Sequence, residues 1–117
     1  MNSVTITGNL GRDPETTNLP SGIKVSSFSL AVNDIYRKGE EKIEKTHWFT
    51  VKVFGKLADL ASAYLSKGKK VGIIGRLNYE EWDGDNGKRS KVTIIADKLE
   101  FMSPRTVEAE EPDKEPF

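Results

Sequence analysis

The chain has 117 residues, 36% of them hydrophobic and 31% charged, a composition typical of one globular domain. The lack of cysteine excludes disulfide bonds and thiolate chemistry. The formal net charge of zero conceals two parts, because residues 1–105 carry 17 Lys and Arg against 13 Asp and Glu, whereas residues 106–117 carry one Lys against five acidic residues.

The sequence shows neither a secretory signal peptide nor a membrane-spanning segment. Its N-terminus lacks the basic start and long apolar run of a signal peptide. No apolar segment approaches the roughly 20 residues that span a bilayer. We therefore expect a cytoplasmic protein.

The first third of the chain predicts two strands. Hydrophobic and polar residues alternate over residues 2–10, which predicts a half-buried strand that ends before Pro14. A second strand is predicted over residues 25–36. Its inward-facing residues are Phe28, Leu30 and Val32. Val25 is out of phase with this inward set, so we expect a β-bulge near Ser26.

Residues 48–56 combine aromatic and β-branched residues with a following glycine, which predicts a third strand and a turn. The charged residues 37–45 before it should form a long, solvated hairpin connection. Because side chains alternate along a strand, the third strand has two unlike faces. The apolar face, expected in the core, consists of Phe49, Val51 and Val53. The other face consists of Trp48, Thr50, Lys52 and Phe54.

The second of these faces is a candidate platform for nucleic acid. Each unpaired base offers a π-face that stacks on an aromatic ring, and each phosphate requires a cation. Taken alone, this strand leaves a second interpretation open, in which Trp48 and Phe54 belong to the core and Lys52 is a charge on an edge strand.

One amphipathic helix follows the third strand. Its apolar stripe, at helical spacing, consists of Leu57, Leu60, Ala61, Tyr64 and Leu65. Lys67 is expected in the last turn, where a cation suits the negative helix end, and Gly68 is expected at the left-handed position that terminates the helix.

The remaining elements complete an all-β fold. Residues 69–79 predict a fourth strand, in which Gly72 and Gly75 indicate close backbone approach or sharp curvature. A turn at residues 83–88 leads into a fifth strand at about residues 91–101. Three strands, a helix and two strands predict a five-stranded Greek-key OB barrel with the helix between strands three and four. The expected domain is residues 1–102, followed by a short, disordered acidic tail at 103–117.

Several segments of the chain, in the right order, resemble the bacterial single-stranded-DNA-binding protein family. They are residues 8–15, 48–54, 54–58, 64–65 and 67–68, and Trp82 before a glycine-containing turn. The resemblance covers about residues 1–102. It implies an OB fold, a homotetramer, a nucleoid-associated cytoplasmic location, and sequence-tolerant binding of single-stranded DNA in replication, recombination and repair.

The resemblance also implies site residues. The stacking aromatics would be Trp48, Phe54 and Trp82, with Tyr36 at a position that is often tryptophan. The phosphate-contacting residues would be Arg37, Lys56 and Lys67. Strand alternation adds Thr50 and Lys52.

The chain also departs from the family pattern at positions that are commonly basic. These positions hold Thr50, Glu80 and Glu81. We therefore expect stacking to carry more of the binding than in a strongly basic relative.

The acidic tail ends in a short motif with an aromatic terminus. The family resemblance implies that its tip recruits replication and repair proteins. The tip residues are Asp113, Glu115, Pro116 and Phe117, with Lys114 interrupting the acidic run. In this interpretation the Phe117 ring and the terminal carboxylate enter a basic-rimmed pocket on the partner. A merely solubilising acidic end is the alternative.

Other classes of function have weaker support. The one histidine, His47, has no nucleophile motif around it, so we expect no catalysis. One histidine and no cysteine make a zinc site implausible, and we expect neither metal nor cofactor. An OB module that binds only protein, and binding of RNA in place of DNA, both remain open, because stacking alone does not distinguish RNA from DNA.

Overall fold

The computed structural model describes residues 1–102. The expected tail and its tip at residues 113–117 lie outside the described residues. The elements are β1 (Val4–Leu10), β2 (Glu15–Asn18), β3 (Lys24–Lys38), β4 (Glu41–Phe54), α1 (Lys56–Tyr64), β5 (Lys70–Gly84) and β6 (Gly87–Phe101). Over residues 1–102, no helix is long and apolar enough to cross a membrane.

Five of these strands close into a barrel. β5 pairs with β1 and β6, β3 pairs with β4, and β1 also pairs with β3. The ring is completed by a short parallel pairing of β4 with β6, at Val51 opposite Ile94 and Lys52 opposite Ile95. The predicted OB barrel, with its helix between the third and fourth barrel strands, is confirmed.

The barrel core fixes the orientation of β4. Val51 and Val53 are fully buried, and Leu30 and Phe28 meet them from β3. Burying a side chain of this size stabilises a fold by about 1.5–3 kcal/mol. A slip of one residue would turn this row outward, so the core determines which side chains of β4 face solvent.

The chain has one strand more than the sequence predicts. β2 pairs with β3 outside the barrel, with Thr16 opposite Ser26 and Thr17 opposite Val25. All four side chains of β2 are exposed, so the strand has no hydrophobic alternation by which the sequence could indicate it.

The predicted long connection over residues 37–45 is wrong. β3 and β4 continue as a paired ribbon to Lys38 opposite Glu41, which leaves only Gly39 and Glu40 in the turn. Gly39 has a φ of 66°, a conformation that glycine adopts easily. The ribbon projects beyond the core, so its charged side chains are exposed on both faces and give no strand signal.

The predicted bulge near Ser26 is also wrong. Pairing of β3 with β4 runs without interruption past Ser26, which is fully buried, while Val25 lies on the opposite face. The shift in register lies instead where β5 pairs with β6, and the extra residue is Asp97 of β6, opposite Ile74 and Gly75. A Cβ atom at Gly75 would collide with the backbone carbonyl of Ile95, so this glycine permits the close strand approach that the sequence indicates.

The helix is shorter than predicted and uses a different buried stripe. α1 ends at Tyr64, so Lys67 lies beyond its last turn, and Gly68, although at a φ of 89°, does not terminate the helix. Leu60 and Tyr64 are exposed. The side chains that bury against the barrel are Ala58, Ala61 and Leu65, with Leu57 partly buried.

Candidate nucleic-acid interface

The polar face of β4 is open to solvent. The Trp48 side chain is 61% exposed and Phe54 is 38% exposed, so the interpretation that places both rings in the core is wrong. Phe49, which was expected in the core, is 37% exposed, because the inward row of β4 leaves the core beyond Val51. The face retains the predicted combination of rings, a hydroxyl and an ammonium group.

Two neighbouring strands extend this face. Lys52 Nζ lies 2.9 Å from Glu80 Oε2, which joins β4 to β5. Alternation along β5 places Trp82, 47% exposed, on the same side as Glu80. We call this surface the aromatic face. It consists of Trp48, Thr50, Lys52, Phe54, Glu80, Trp82 and Lys91.

The position of Trp48 depends on a glycine in another part of the chain. A Cβ atom at Gly11 would lie 2.5 Å from the Trp48 ring. The Gly11 N–H donates to the Ser29 carbonyl at 3.0 Å, which holds the end of β1 beside β3. A side chain at position 11 would displace the ring from this place, so Gly11 leaves the space that Trp48 occupies.

Trp82 lies among cations that the sequence analysis did not identify. Lys91 Nζ lies 5.9 Å from the Trp82 ring centroid, within cation–π range. Arg89 lies opposite Trp82 on β6, and Lys91 lies opposite Glu80. Alternation over Arg89, Lys91 and Thr93 was the available signal, but it becomes informative only when the pairing with β5 is known.

A polar cluster lies between the two rings of β4 and the Trp82 ring of β5. The Glu80 carboxylate accepts hydrogen bonds at 2.9 Å from Lys52 and Thr93, and at 3.3 Å from the Asn78 amide. The hydrogen bond from Lys52 is the main cause that holds the pKa of the Glu80 carboxyl below its usual value, while desolvation opposes this shift and Thr93 adds to it. Glu80 is therefore an anion held at the middle of the aromatic face.

The projecting β3–β4 ribbon carries Tyr36 and Arg37. Tyr36 lies opposite Ile43, and strand alternation places its ring on the other side of the ribbon from Trp48. Arg37 shares the Trp48 side and is exposed. The ribbon therefore carries the Arg37 cation on the same side as the aromatic face, whereas the Tyr36 ring lies on the other side.

The two predicted lysines of the helical region lie at the margins of the aromatic face. Lys56 begins α1, two residues after Phe54. The backbone N–H of Lys67 donates to Asp13 Oδ1 at 2.8 Å. Because Asp13 is two residues from Gly11, this bond places Lys67 near the Trp48 end.

The described residues offer no arrangement suited to metal chemistry. Between residues 1 and 102, no group of three or more His, Cys, Asp or Glu side chains is placed to hold a metal ion. His47 Nε2 lies 3.4 Å from Asp34 Oδ2, and both side chains are about half exposed.

A small barrel with rings and cations on one outward sheet face has the architecture of OB-fold proteins that bind single strands. The chain belongs to the single-strand binding protein family, whose family model matches residues 1–102.

Relatives and a solved structure agree with this assignment. The chain is 37% identical to single-stranded DNA-binding protein 1 of Synechocystis over 94% of this chain and 90% of the relative. It is 41% identical to the single-stranded DNA-binding protein of Aquifex aeolicus, over 98% of this chain and 80% of the relative. The structure of a Plasmodium falciparum SSB complex with ssDNA matches with a TM-score of 0.81 and 30% identity, covering 88% of this chain and 96% of that one.

Proposed function

We propose that this protein binds single-stranded DNA without sequence preference and without catalysis. Bases stack on the rings of the aromatic face, and phosphates lie beside the surrounding cations. The observation that carries the proposal is that Trp48, Phe54 and Trp82 are exposed on one outward sheet face. The family membership and the similarity to an SSB complex with ssDNA support it.

Stacking supplies a sufficient driving force. Each stacked base is worth about 1–3 kcal/mol by truncation, so three rings provide a gross term of roughly 3–9 kcal/mol before the strand is ordered. The positive charge comes from Arg37, Lys56, Lys67 and Lys91, and each phosphate neutralised adds about −0.7 to the slope of log affinity against log salt. Lys52 lies on the same face but is paired with Glu80. Thr50, which lies between the Trp48 ring and Lys52, contributes a hydroxyl to the same face.

The proposal also includes the oligomeric state of the protein and its location in the cell. The protein is expected to act as a homotetramer in the cytoplasm, on the nucleoid, protecting single strands during replication, recombination and repair. Exposed apolar side chains where β5 and β6 leave the barrel support self-association. They are Leu77, Tyr79 and Val92.

The two parts of the chain would divide the work. Residues 1–102 form the DNA-binding domain. Residues 103–117 form a short acidic tail whose tip recruits replication and repair proteins. The negative charge of that tail, one Lys against five acidic residues over 106–117, repels phosphate and favours a basic protein pocket.

Titration with oligo(dT) of increasing length at two salt concentrations tests the function. Stacking on Trp48 and Trp82 should quench tryptophan emission, and the affinity should rise with length until the site is filled. An equimolar oligo(U) competitor separates DNA from RNA binding. Unchanged emission together with unchanged anisotropy of a labelled oligo(dT) would contradict the proposal and favour a protein-binding OB module.

A further inference from the structure

The middle of the aromatic face holds an internal ion pair. Lys52 Nζ and Glu80 Oε2 are 2.9 Å apart, and their side chains are 28% and 25% exposed. A ligand lying on the face can therefore reach both groups. Lys52 lies between Thr50 and Phe54 in the outward row of β4, so a strand that stacks along this row passes over the pair.

The donors around Glu80 are of the kind that bind a phosphate oxygen. Lys52 comes from β4, Thr93 from β6 and Asn78 from β5, and all three donate to the same carboxylate oxygen. Hydrogen bonds to an ionised carboxylate belong to the stronger, charge-assisted class, and the one from Lys52 has a charged donor as well. Here the anion belongs to the protein itself.

The charge of Glu80 persists under ordinary conditions. The Lys52 hydrogen bond lowers the pKa of its carboxyl, and the positive charge of Lys91 acts in the same direction. The pair therefore contributes no net positive charge to the face. A phosphate arriving there meets a lysine that already has a partner.

We propose that the Glu80 carboxylate competes with DNA phosphates for Lys52 and thereby lowers both the affinity and the salt dependence of the aromatic face. This inference rests on the proposed function. It makes Glu80 a residue that tunes how readily the protein releases a strand, and it makes Lys52 a latent phosphate contact.

The test compares Glu80→Gln with Glu81→Gln by the anisotropy of a labelled oligo(dT) between 50 and 200 mM salt. The two variants change the net charge equally, but the Glu81 side chain points to the other side of β5 and makes no side-chain hydrogen bond within residues 1–102. Glu80→Gln should bind roughly two- to fivefold more tightly at 50 mM salt, with a log–log slope steeper by about 0.7. Glu81→Gln should change both quantities much less.

The double variant Lys52→Gln/Glu80→Gln identifies the source of the gain. Compared with Lys52→Gln alone, the double variant should gain no more affinity for oligo(dT) than Glu81→Gln gains over the unmodified protein. Equal effects of Glu80→Gln and Glu81→Gln, or a gain that persists without Lys52, would overturn the inference and leave the proposed function intact. Failure of the unmodified protein to bind oligo(dT) would overturn both.

Thermal melts of each variant show whether it is folded. If Glu80→Gln does not melt cooperatively, Glu80→Asp takes its place. Aspartate keeps the charge but shortens the reach to Lys52, so a smaller gain in affinity is expected, and no gain would count against the inference.

Discussion

The Trp48 ring lies on the outward face of β4, open to solvent and beside Gly11. Strand alternation separates it from the Val51 and Val53 row but leaves open whether its own face is buried. The contact with Gly11 joins residues 37 positions apart in the sequence, so no local pattern could indicate it. The Lys52–Glu80 bond is unpredictable for the same reason, because it depends on how β4, β5 and β6 are arranged.

The close approach of Gly11 to the Trp48 ring can be tested by substitution. Gly11→Ala should push the Trp48 ring from its place and weaken oligo(dT) binding by up to the value of one stacked base, about 1–3 kcal/mol. Anisotropy of a labelled oligo(dT) measures the loss. In a Trp48→Ala background the same substitution should have no further effect, and an equal loss in both backgrounds would show that Gly11 acts otherwise.

Glu80 gives a second prediction, on stability against pH. Its folded pKa is below the usual value of 4.5, so its contribution to stability is complete above about pH 4.5 and is lost as the pH falls through the folded pKa. Urea unfolding at pH 7, 5, 4 and 3 should show a constant difference between the unmodified protein and Glu80→Gln down to about pH 5. Below that the difference should shrink. A difference that persists unchanged to pH 3 would mean that Glu80 is not stabilised as an anion.

Among the elements, prediction from sequence succeeded wherever a strand has one buried face. β1, the core part of β3 and the core part of β4 alternate as expected. It failed where β3–β4 and β5–β6 continue as ribbons beyond the core, since a ribbon with no buried face does not require hydrophobic and polar residues to alternate. The helix stripe was misplaced because Ala58 packs more closely against the barrel than the larger Leu60.

The bulge of β6 opposite Gly75 can be tested by substitution. Gly75→Ala should lower the free energy of unfolding by about 1–3 kcal/mol, because the new methyl group meets the Ile95 backbone, which cannot move without breaking the pairing. Gly84→Ala is the matched control, since its methyl group would meet mainly the flexible Arg89 side chain. Urea denaturation compares the two. If both lose equally little, the glycine at 75 is not required for strand approach.

For the whole molecule, the order of elements was sufficient to predict an OB barrel. Position along the chain does not reveal which strands meet around the barrel. The parallel pairing of β4 with β6 brings Lys52 beside β6, and the pairing of β6 with β5 brings Lys91 beside Trp82. The cations of the aromatic face were therefore incompletely predicted.

The division of work between body and tail can be tested separately. Deleting Pro116 and Phe117 should leave oligo(dT) affinity unchanged within about twofold, because the aromatic face proposed to bind the strand lies within residues 1–102. It should abolish the capture of replication and repair proteins in a pull-down. Replacing Thr106 and Val107 with serine controls for any change in the tail. Equal capture by the deletion and control variants would leave the tip without a recruiting role.

The proposed function depends on bases stacking on the exposed rings. Its most direct test is the affinity of Trp48→Ala/Trp82→Ala for a labelled oligo(dT), measured by anisotropy so that the readout does not depend on tryptophan. Tyr64→Ala is the control, because Tyr64 is also 61% exposed but lies on α1, against Phe101. Two lost stacking contacts should weaken binding about 30-fold or more, while the control binds normally. If the double variant binds as tightly as Tyr64→Ala, the DNA lies elsewhere on the protein.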